Sequence, residues 1–321
     1  MEKQLNFTDF EYSNRRRTTQ KEAFLNKMDA IIPWKEFVDL VKPFYPDGKR
    51  GRKPIEIETM LRMTMLQVWF NVSDDGLEDA IYDSYCMKAF LGLNFEEAQV
   101  PDATTLCKFR KLLNENNLQK KIFDQVQDVL KKRGLQVKGG TIVDATIIEA
   151  SSCKKNKDNS TDPEMHSVRK GNNYYFGMRL HIGTDPLHGF VHTMVTTPAN
   201  TSEVQIAPRL LRQDDVSVYG DAGYCGLAKY DTLHKQREYH ICRQRGTFKR
   251  HYGDGIAWWE ETKLESRKAS MRCKVEYVFH VIKDIFKWRR ARYKGLQKNA
   301  AYANLALASA NLYMLATCQI K

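Results

Sequence analysis

The chain has 321 residues, of which 42% are hydrophobic, and this is enough apolar material for a globular protein with a substantial core. Its 51 Lys and Arg residues exceed its 39 Asp and Glu residues, giving a net charge of +12 that favours a polyanionic partner, either nucleic acid or an anionic membrane surface. Seven scattered cysteines without a Cys-x-x-Cys pair argue against a disulfide framework and a zinc site. We therefore expect a reducing, cytoplasmic setting.

Residues 1–53 are predicted to be a polar amino-terminal arm that ends in a basic boundary segment. Four cations surround a glycine in residues 49–53, and Pro54 follows. Arg50 and Arg52 are candidate DNA contacts, because the negative potential of a DNA minor groove attracts Arg and Lys. An ordinary charged linker is the alternative interpretation.

Residues 54–137 have a helical pattern and are predicted to be a helical DNA-binding domain. Pro54 precedes one helix, Ser73 and Asp102 are predicted caps of two others, and a fourth is expected from about Leu118 to Arg133. Cations on the predicted outer face of the third helix are candidate DNA contacts, although such residues are often only solvated: Lys108, Arg110 and Lys111.

From Gly139 and Gly140 the pattern becomes extended. Residues 141–148 are rich in β-branched side chains and contain Asp144. A carboxylate inside an apolar strand is costly unless it is paired or bound to a cation, so Asp144 is a candidate site residue. A hydrogen-bonded aspartate at a sheet edge is the alternative.

The next segments predict a meander followed by alternating helices and strands. Residues 151–173 are expected to be a long basic loop, and residues 174–182 and 189–196 an antiparallel pair of strands. Residues 200–203 match a capping box that opens a helix to Leu211. A short strand at 216–221 then ends in Asp221, before a glycine turn, where α/β sheets usually place site residues.

The carboxy-terminal third is the most basic part of the chain. A helix at 227–236 and a strand at 239–242 are predicted, followed by an irregular segment, 243–261, in which Trp258 and Trp259 either stack on a DNA base or fill a core. Residues 263–298 contain 12 Lys or Arg and 3 Asp or Glu. Residues 299–318 predict an Ala-rich buried helix rather than a membrane span, because Asn and Ser interrupt the apolar run.

Residues 269–283 predict a helix that places one acid among four potential cations. At about 100° per residue these side chains share a narrow arc: Arg272, Glu276, His280, Lys283 and Lys287. One interpretation is a solvated salt-bridge face. The other is a carboxylate directed at a metal ion, with neighbouring cations that bind phosphate oxygens.

Asp144, Asp221 and Glu276 are too far apart in sequence for a local metal loop, but a sheet could bring them together. The predicted order of strands and helices fits a ribonuclease-H-like α/β fold, a mixed sheet flanked by helices, within residues 138–321 and preceded by the all-helical domain. In that fold the first and fourth strands are neighbours. Carboxylates with few other ligands suit Mg²⁺, and two such ions support in-line phosphoryl transfer.

At these residues the chain resembles the DDE transposases of bacterial insertion sequences. The resemblance covers most of the chain and rests on residues 143–148, residues 219–224 and the pattern Arg272-x3-Glu276-x6-Lys283. Residues 162–166 and 175–183 are similar to the family's linking segment, and residues 49–91 to its helical amino-terminal region. One departure is Ala269, where the family often has a tyrosine.

The resemblance implies a transposase that cleaves and joins DNA strands at the ends of its own mobile element. It implies that Asp144, Asp221 and Glu276 hold Mg²⁺, as two ions that Mn²⁺ could replace, and that Arg272 and Lys283 bind backbone phosphates, with Lys287 as a further DNA contact. It further implies a homodimer or higher assembly on double-stranded DNA, in the bacterial nucleoid. The alternatives are a nuclease that cleaves without joining and a non-catalytic DNA-binding regulator.

Overall fold

The computed structural model describes residues 12, 14–48, 53–95, 98–136, 138–153, 160–244 and 256–318. Arg50 and Arg52 lie outside these residues, so their predicted DNA contacts are untested. Within the described ranges, no helix has the length and apolar character that crossing a membrane requires.

The amino-terminal half is helical. Its helices are α1 (Gln20–Ile31), α2 (Trp34–Val41), α3 (Ile57–Phe70), α4 (Asp74–Asp83), α5 (Tyr85–Leu91), α6 (Ala103–Glu115) and α7 (Leu118–Lys132). The predicted caps are confirmed: the Ser73 side chain accepts a hydrogen bond from the amide of Gly76, and the Asp102 side chain accepts one from Thr105. Each cap satisfies an amide that has no partner within its helix.

The segment expected to be an arm is helical over residues 20–44. The Thr19 side chain caps α1, and Leu25, Met28 and Ile31 bury its inner face. Arg62 of α3 then fixes the neighbouring helix α2, because its guanidinium lies 4.3 Å from the centre of the Trp34 ring. These helices were not predicted, although α2 is rich in apolar residues. The boundaries at residues 53 and 137 remain predictions.

A mixed sheet forms the second half of the structure. Its strands are β1 (Gly140–Glu149), β2 (His166–Lys170), β3 (Asn173–Thr184), β4 (Val191–Pro198), β5 (Ser217–Gly220) and β6 (Glu238–Ile241). Their order is β2-β3-β1-β5-β6, and β4 pairs with β3. The pairs β1–β3 and β3–β4 are antiparallel, whereas β1–β5 and β5–β6 are parallel. This is the predicted ribonuclease-H-like arrangement, with the first and fourth strands of its core side by side.

Three local predictions in this half are wrong. The expected loop at 151–173 contains β2, which is stabilised by pairing with β3 rather than by apolar side chains of its own. The helix expected to reach Leu211 is only α8 (Glu203–Ile206) and a 3₁₀ turn, because Pro208 has no amide hydrogen to continue it. The helix expected at 227–236 consists of two short 3₁₀ turns.

The last helices cover one face of the sheet and join it to the helical half. They are α9 (Ile256–Arg272), α10 (Lys274–His280), a π-helical turn (Val281–Ile285) and α11 (Leu296–Cys318). As predicted, α11 is buried, and it contacts α1, α3, α7 and β4. Its fully buried Asn311 accepts a hydrogen bond from the Val191 amide and donates one to the Val191 carbonyl.

Two predictions about this region are wrong. Residues 256–261 are helical, not irregular, so Trp258 and Trp259 lie on α9. Lys287 lies beyond the helix with a φ of 59°, because the buried side chains of Phe286 and Trp288 turn the chain into the core. It therefore does not continue the arc of Arg272, Glu276, His280 and Lys283.

Candidate active site

The parallel pairing of β1 with β5 brings two of the predicted acids together. Ile142 lies opposite Tyr219 in the register, so Asp144 lies opposite Asp221 when the pairing is extended by two residues. Asp144 accepts a hydrogen bond of 2.7 Å from the amide of Ala145. Asp221 follows β5 directly and accepts one of 2.8 Å from the Gly223 amide, which fixes it at the start of the glycine turn.

Glu276 reaches the same region from α10. The buried residues Val275 and Val278 hold α10 against the sheet, in the same core cluster as Ile142 of β1, and Glu276 lies on the exposed side. Arg272 connects the helix to the strand, because its guanidinium lies 3.5 Å from Asp144 Oδ2 and 2.5 Å from Glu276 Oε1.

The site has an excess of negative charge around Asp144. Burial is the main cause that raises the pKa of Asp144 to about 7. The negative charges of Asp221 and, to a smaller extent, Glu203 add to this effect. The Ala145 amide and the Arg272 guanidinium act in the opposite direction without cancelling this effect. Buried acids with too little positive charge are typical of sites that take up a cation.

A fourth acid, Glu203, lies at this end of the sheet and was not predicted as a site residue. It is the first residue of α8. Burial and then the negative charge of Asp221 raise the pKa of Glu203. The guanidinium of Arg179, 3.1 Å from the Glu203 carboxylate, opposes this rise. The capping-box prediction is wrong, because the cap is Ser202 and its side chain makes no capping hydrogen bond. Only the three-dimensional contact with Arg179 distinguishes Glu203 from a capping residue.

Tyr224 was also missed. Its side chain is fully buried and its hydroxyl has no hydrogen-bond partner among the described residues. Burial, followed by the charges of Glu203, Asp144 and Asp221, raises its pKa well above the usual value. The glycine turn predicted a site at Asp221, but nothing in the sequence indicated that this tyrosine faces inward.

A divalent metal ion needs several oxygen ligands close together. In the part of the chain that the structure describes, no group of three or more His, Cys, Asp or Glu side chains is arranged to hold a metal. Asp144 and Asp221 nevertheless fit such an ion, since they are neighbouring carboxylates that lack sufficient positive charge. Glu276 is directed to Arg272 instead.

The other predicted cations take different positions. Lys283 points towards β1, where its Nζ donates a 2.9 Å hydrogen bond to the carbonyl of Ile147, while Lys287 is exposed. Lys108 and Lys111 are exposed on α6 as predicted. Arg110 is not on that outer face, because it turns inward to pair with Asp74 and lies over the ring of Tyr293.

The tryptophan pair does not fill a core. None of the residues of α9, all of which the structure describes, is buried, and the side chain of Trp259 is 55% exposed. The Lys263 ammonium lies 3.5 Å from the centre of the Trp259 ring. The alternative of stacking on DNA therefore remains a prediction for Trp259, and Trp258 is half-buried beside it.

Comparison with known families agrees with this geometry. Residues 135–312 match the model of the family described as "Transposase DDE domain", and these residues include Asp144, Asp221 and Glu276. Residues 13–112 match a second family, "Transposase domain (DUF772)", which corresponds to most of the helical half. The first match alone covers more than half of the chain, and the chain belongs to the DDE transposases of the insertion-sequence type.

Proposed function

We propose that the protein cleaves DNA at the ends of its mobile element and joins the freed 3′-hydroxyl to target DNA. The observation that carries this proposal is the meeting of Asp144 and Asp221 on neighbouring parallel strands, with Glu276 linked to Asp144 through Arg272. Water would be the nucleophile in cleavage and a DNA hydroxyl the nucleophile in joining, so one site could serve both steps.

In this proposal Asp144, Asp221 and Glu276 hold Mg²⁺, as two ions that Mn²⁺ can replace. The ions would supply charge stabilisation for the attacking and leaving oxygens of the phosphoryl transfer. Arg272 is then free to donate hydrogen bonds to a backbone phosphate, which is the geometry that a guanidinium favours. The acids that contact Arg272 in the structure would then contact Mg²⁺ instead.

Binding of double-stranded DNA follows from the distribution of positive charge. Lys283 and Lys287 lie beyond Arg272 in the chain, and the exposed Lys108 and Lys111 provide a second group of cations on α6. Neutralisation of phosphates by these residues would make affinity strongly dependent on salt. Because joining requires two DNA ends, we propose that the active form is a homodimer or a higher assembly on DNA.

The test is an integration assay with labelled duplexes that carry the terminal sequence of the element and a supercoiled target plasmid. We expect nicked or linear plasmid that carries the label in the presence of Mg²⁺, and none in the presence of a chelator. Cleaved ends without joined product would favour a nuclease, and binding without either reaction would favour a DNA-binding regulator.

The matched variants are Asp144→Asn and Asp128→Asn. Asp144→Asn removes one candidate metal ligand and is expected to abolish cleavage while leaving DNA binding largely intact. Asp128 is an exposed acid on α7 that pairs with Lys131, so its variant should react like the unchanged protein. Normal cleavage by Asp144→Asn would exclude the metal assignment.

A further inference from the structure

The hairpin of β2 and β3 projects beyond the rest of the sheet. Pairing of β1 with β3 ends at Glu149 opposite Gly177, and the Ala150 amide still donates to the Phe176 carbonyl, so within the described residues 173–175 pair with β2 alone. Arg169 lies directly opposite Tyr174 near the tip, and its guanidinium is 6.0 Å from the centre of the ring. The side chain of Tyr174 is 73% exposed, although it is large and aromatic. The tip therefore presents an aromatic ring and a cation to solvent.

Cations follow β1 from the candidate active site towards this hairpin. Arg272 lies at the first carboxylate, and Lys283 bonds to the carbonyl of Ile147, three residues further along the strand. Arg290 is exposed, and its backbone forms a parallel β-bridge with Glu149 at the end of the strand. These contacts place cations beside β1 at residues 144, 147 and 149.

One of the two acids near Lys283 is already engaged. Asp284 pairs with His280, at 2.9 Å, and with Arg289. Lys170 and Arg289 lie close enough to lower the pKa of Lys283, after the larger effect of its burial, whereas Glu149 and Asp284 raise it. Three cations and two acids therefore meet here, which leaves a small excess of positive charge between the active site and the hairpin.

The hairpin tip continues the face of the sheet from which Asp144 projects. Asp144 lies opposite Ile182, and Tyr174 precedes Ile182 by eight positions on the same strand, so the two side chains point to the same face. At about 3.4 Å per residue the separation is roughly 27 Å. A DNA strand rises about 3.4 Å per nucleotide, so this distance corresponds to about eight nucleotides.

We propose that these residues form a binding strip for one side of a DNA duplex, and that Arg169 and Tyr174 contact phosphates about eight nucleotides from the scissile phosphate. The strip consists of Arg272, Lys283, Arg290, Arg169 and Tyr174. Arginine and tyrosine side chains both donate hydrogen bonds to phosphate oxygens. The inference rests on the proposed function, because the scissile phosphate is taken to lie at Asp144 and Asp221.

The experiment measures binding of the full chain to duplexes that extend roughly 4 or roughly 16 base pairs from the cleavage position, in each direction. Arg169→Ala and Tyr174→Ala are compared with two exposed control positions away from the strip, Lys131→Ala and Tyr230→Ala. On the duplex that is extended in one of the two directions, Arg169→Ala and Tyr174→Ala should each bind at least about fivefold more weakly than the unchanged protein. Arg169→Ala should also reduce the slope of log affinity against log salt by about one. On the shorter duplexes both variants should bind as the unchanged protein does.

Equal losses on short and long duplexes would place these residues elsewhere on the DNA and overturn the strip. Normal binding of both variants to the longer duplexes would do the same. Cleavage by the unchanged protein is measured on the same duplexes with Mg²⁺. If the unchanged protein cleaves the duplexes but Arg169→Ala and Tyr174→Ala bind them normally, only the strip is refuted. If the unchanged protein does not cleave them, the proposed function itself is refuted.

Discussion

The guanidinium of Arg272 lies 3.5 Å from Oδ2 of Asp144 and also contacts Glu276, so a single cation bridges two of the three candidate metal ligands. Burial and neighbouring acids leave Asp144 short of positive charge, and Arg272 partly supplies it. In the proposed function, a metal ion and Arg272 would compete for the same carboxylates. The structure would then represent the state in which the acids are paired before metal and DNA are bound.

Replacement of Arg272 by alanine should separate metal binding from catalysis. We expect Mn²⁺ to bind the DNA-free chain about fivefold more tightly, because removal of an ion pair worth about 1 kcal/mol frees both carboxylates. DNA cleavage should nevertheless fall, since the phosphate contact is lost. Calorimetric titration with Mn²⁺ measures the first effect, and Arg267→Ala on the same helix is the control. Weaker Mn²⁺ binding by Arg272→Ala would contradict the competition.

Replacement of Glu276 by glutamine distinguishes a metal ligand from a surface salt bridge. The side chain is 55% exposed, so loss of its pairing with Arg272 should change the free energy of unfolding only slightly. If Glu276 completes the metal site, cleavage should fall by at least about 100-fold, because a ligand to the catalytic ions is lost. Glu260→Gln on α9 is the matched control in the cleavage assay. Unchanged turnover would show that Glu276 is only a surface residue that forms a salt bridge.

Tyr224, in the turn after β5, and Tyr239, near the start of β6, should respond in opposite ways to loss of their hydroxyls. The Tyr224 hydroxyl is buried without a partner among the described residues, so Tyr224→Phe should raise the free energy of unfolding by about 1 kcal/mol. The Tyr239 hydroxyl donates a 2.6 Å hydrogen bond to Asp231, so Tyr239→Phe should lower it by about 1 to 2 kcal/mol. Urea denaturation of the metal-free chain measures both. The same sign for the two variants would refute the assignment.

Two histidines with little access to solvent, the fully buried His181 and the partly buried His192, should make the fold sensitive to acid. Burial is the largest cause that lowers the pKa of His181 and of His192 to about 3, so both stay neutral in the folded chain. In the unfolded chain they take up protons below about pH 6.5. Their folded pKa values are depressed, so the stability they contribute is present above pH 6.5 and is lost as the pH falls towards 3. We expect a loss of about 2 to 4 kcal/mol between pH 7 and pH 5.

The variant that tests this pH dependence is His181→Asn, which can keep the polar contact with Thr197. It should flatten the dependence of the unfolding free energy on pH by about half, measured by urea denaturation at several pH values. His166→Gln on the exposed strand β2 should leave the slope unchanged. An unaltered slope in His181→Asn would show that other groups cause the acid sensitivity.

The positions of the two strand acids were predictable because each carries a local signal. Asp144 interrupts a β-branched strand and Asp221 ends a strand before a glycine turn, and both signals depend only on adjacent residues. Glu203 was missed because its partner Arg179 lies on another strand. Arg110 was misplaced for the same kind of reason, since its partner Asp74 belongs to another helix and drew it inward.

The helices and strands also divide into those that local sequence predicts and those that depend on distant contacts. Helices with strong caps, such as α4 and α6, were predicted at their correct starts. Strand β2 was not, because its pairing with β3 supplies the stability that its exposed side chains do not. The position of Lys287 also depended on distant packing, since the buried rings of Phe286 and Trp288 end the helical path.

Helix α11 has a consequence for the order in which the molecule can form. It contacts α1, α3 and α7 as well as β4, yet a ribosome makes it after all of them. Until Leu296–Cys318 has emerged, the apolar faces of those helices lack the surface that covers them, so the nascent chain depends on protection from aggregation. Because many of its contacts span most of the sequence, closure of this core should also be a slow step in folding. A chain interrupted before Leu296 would therefore be an unfolded product rather than a shortened enzyme.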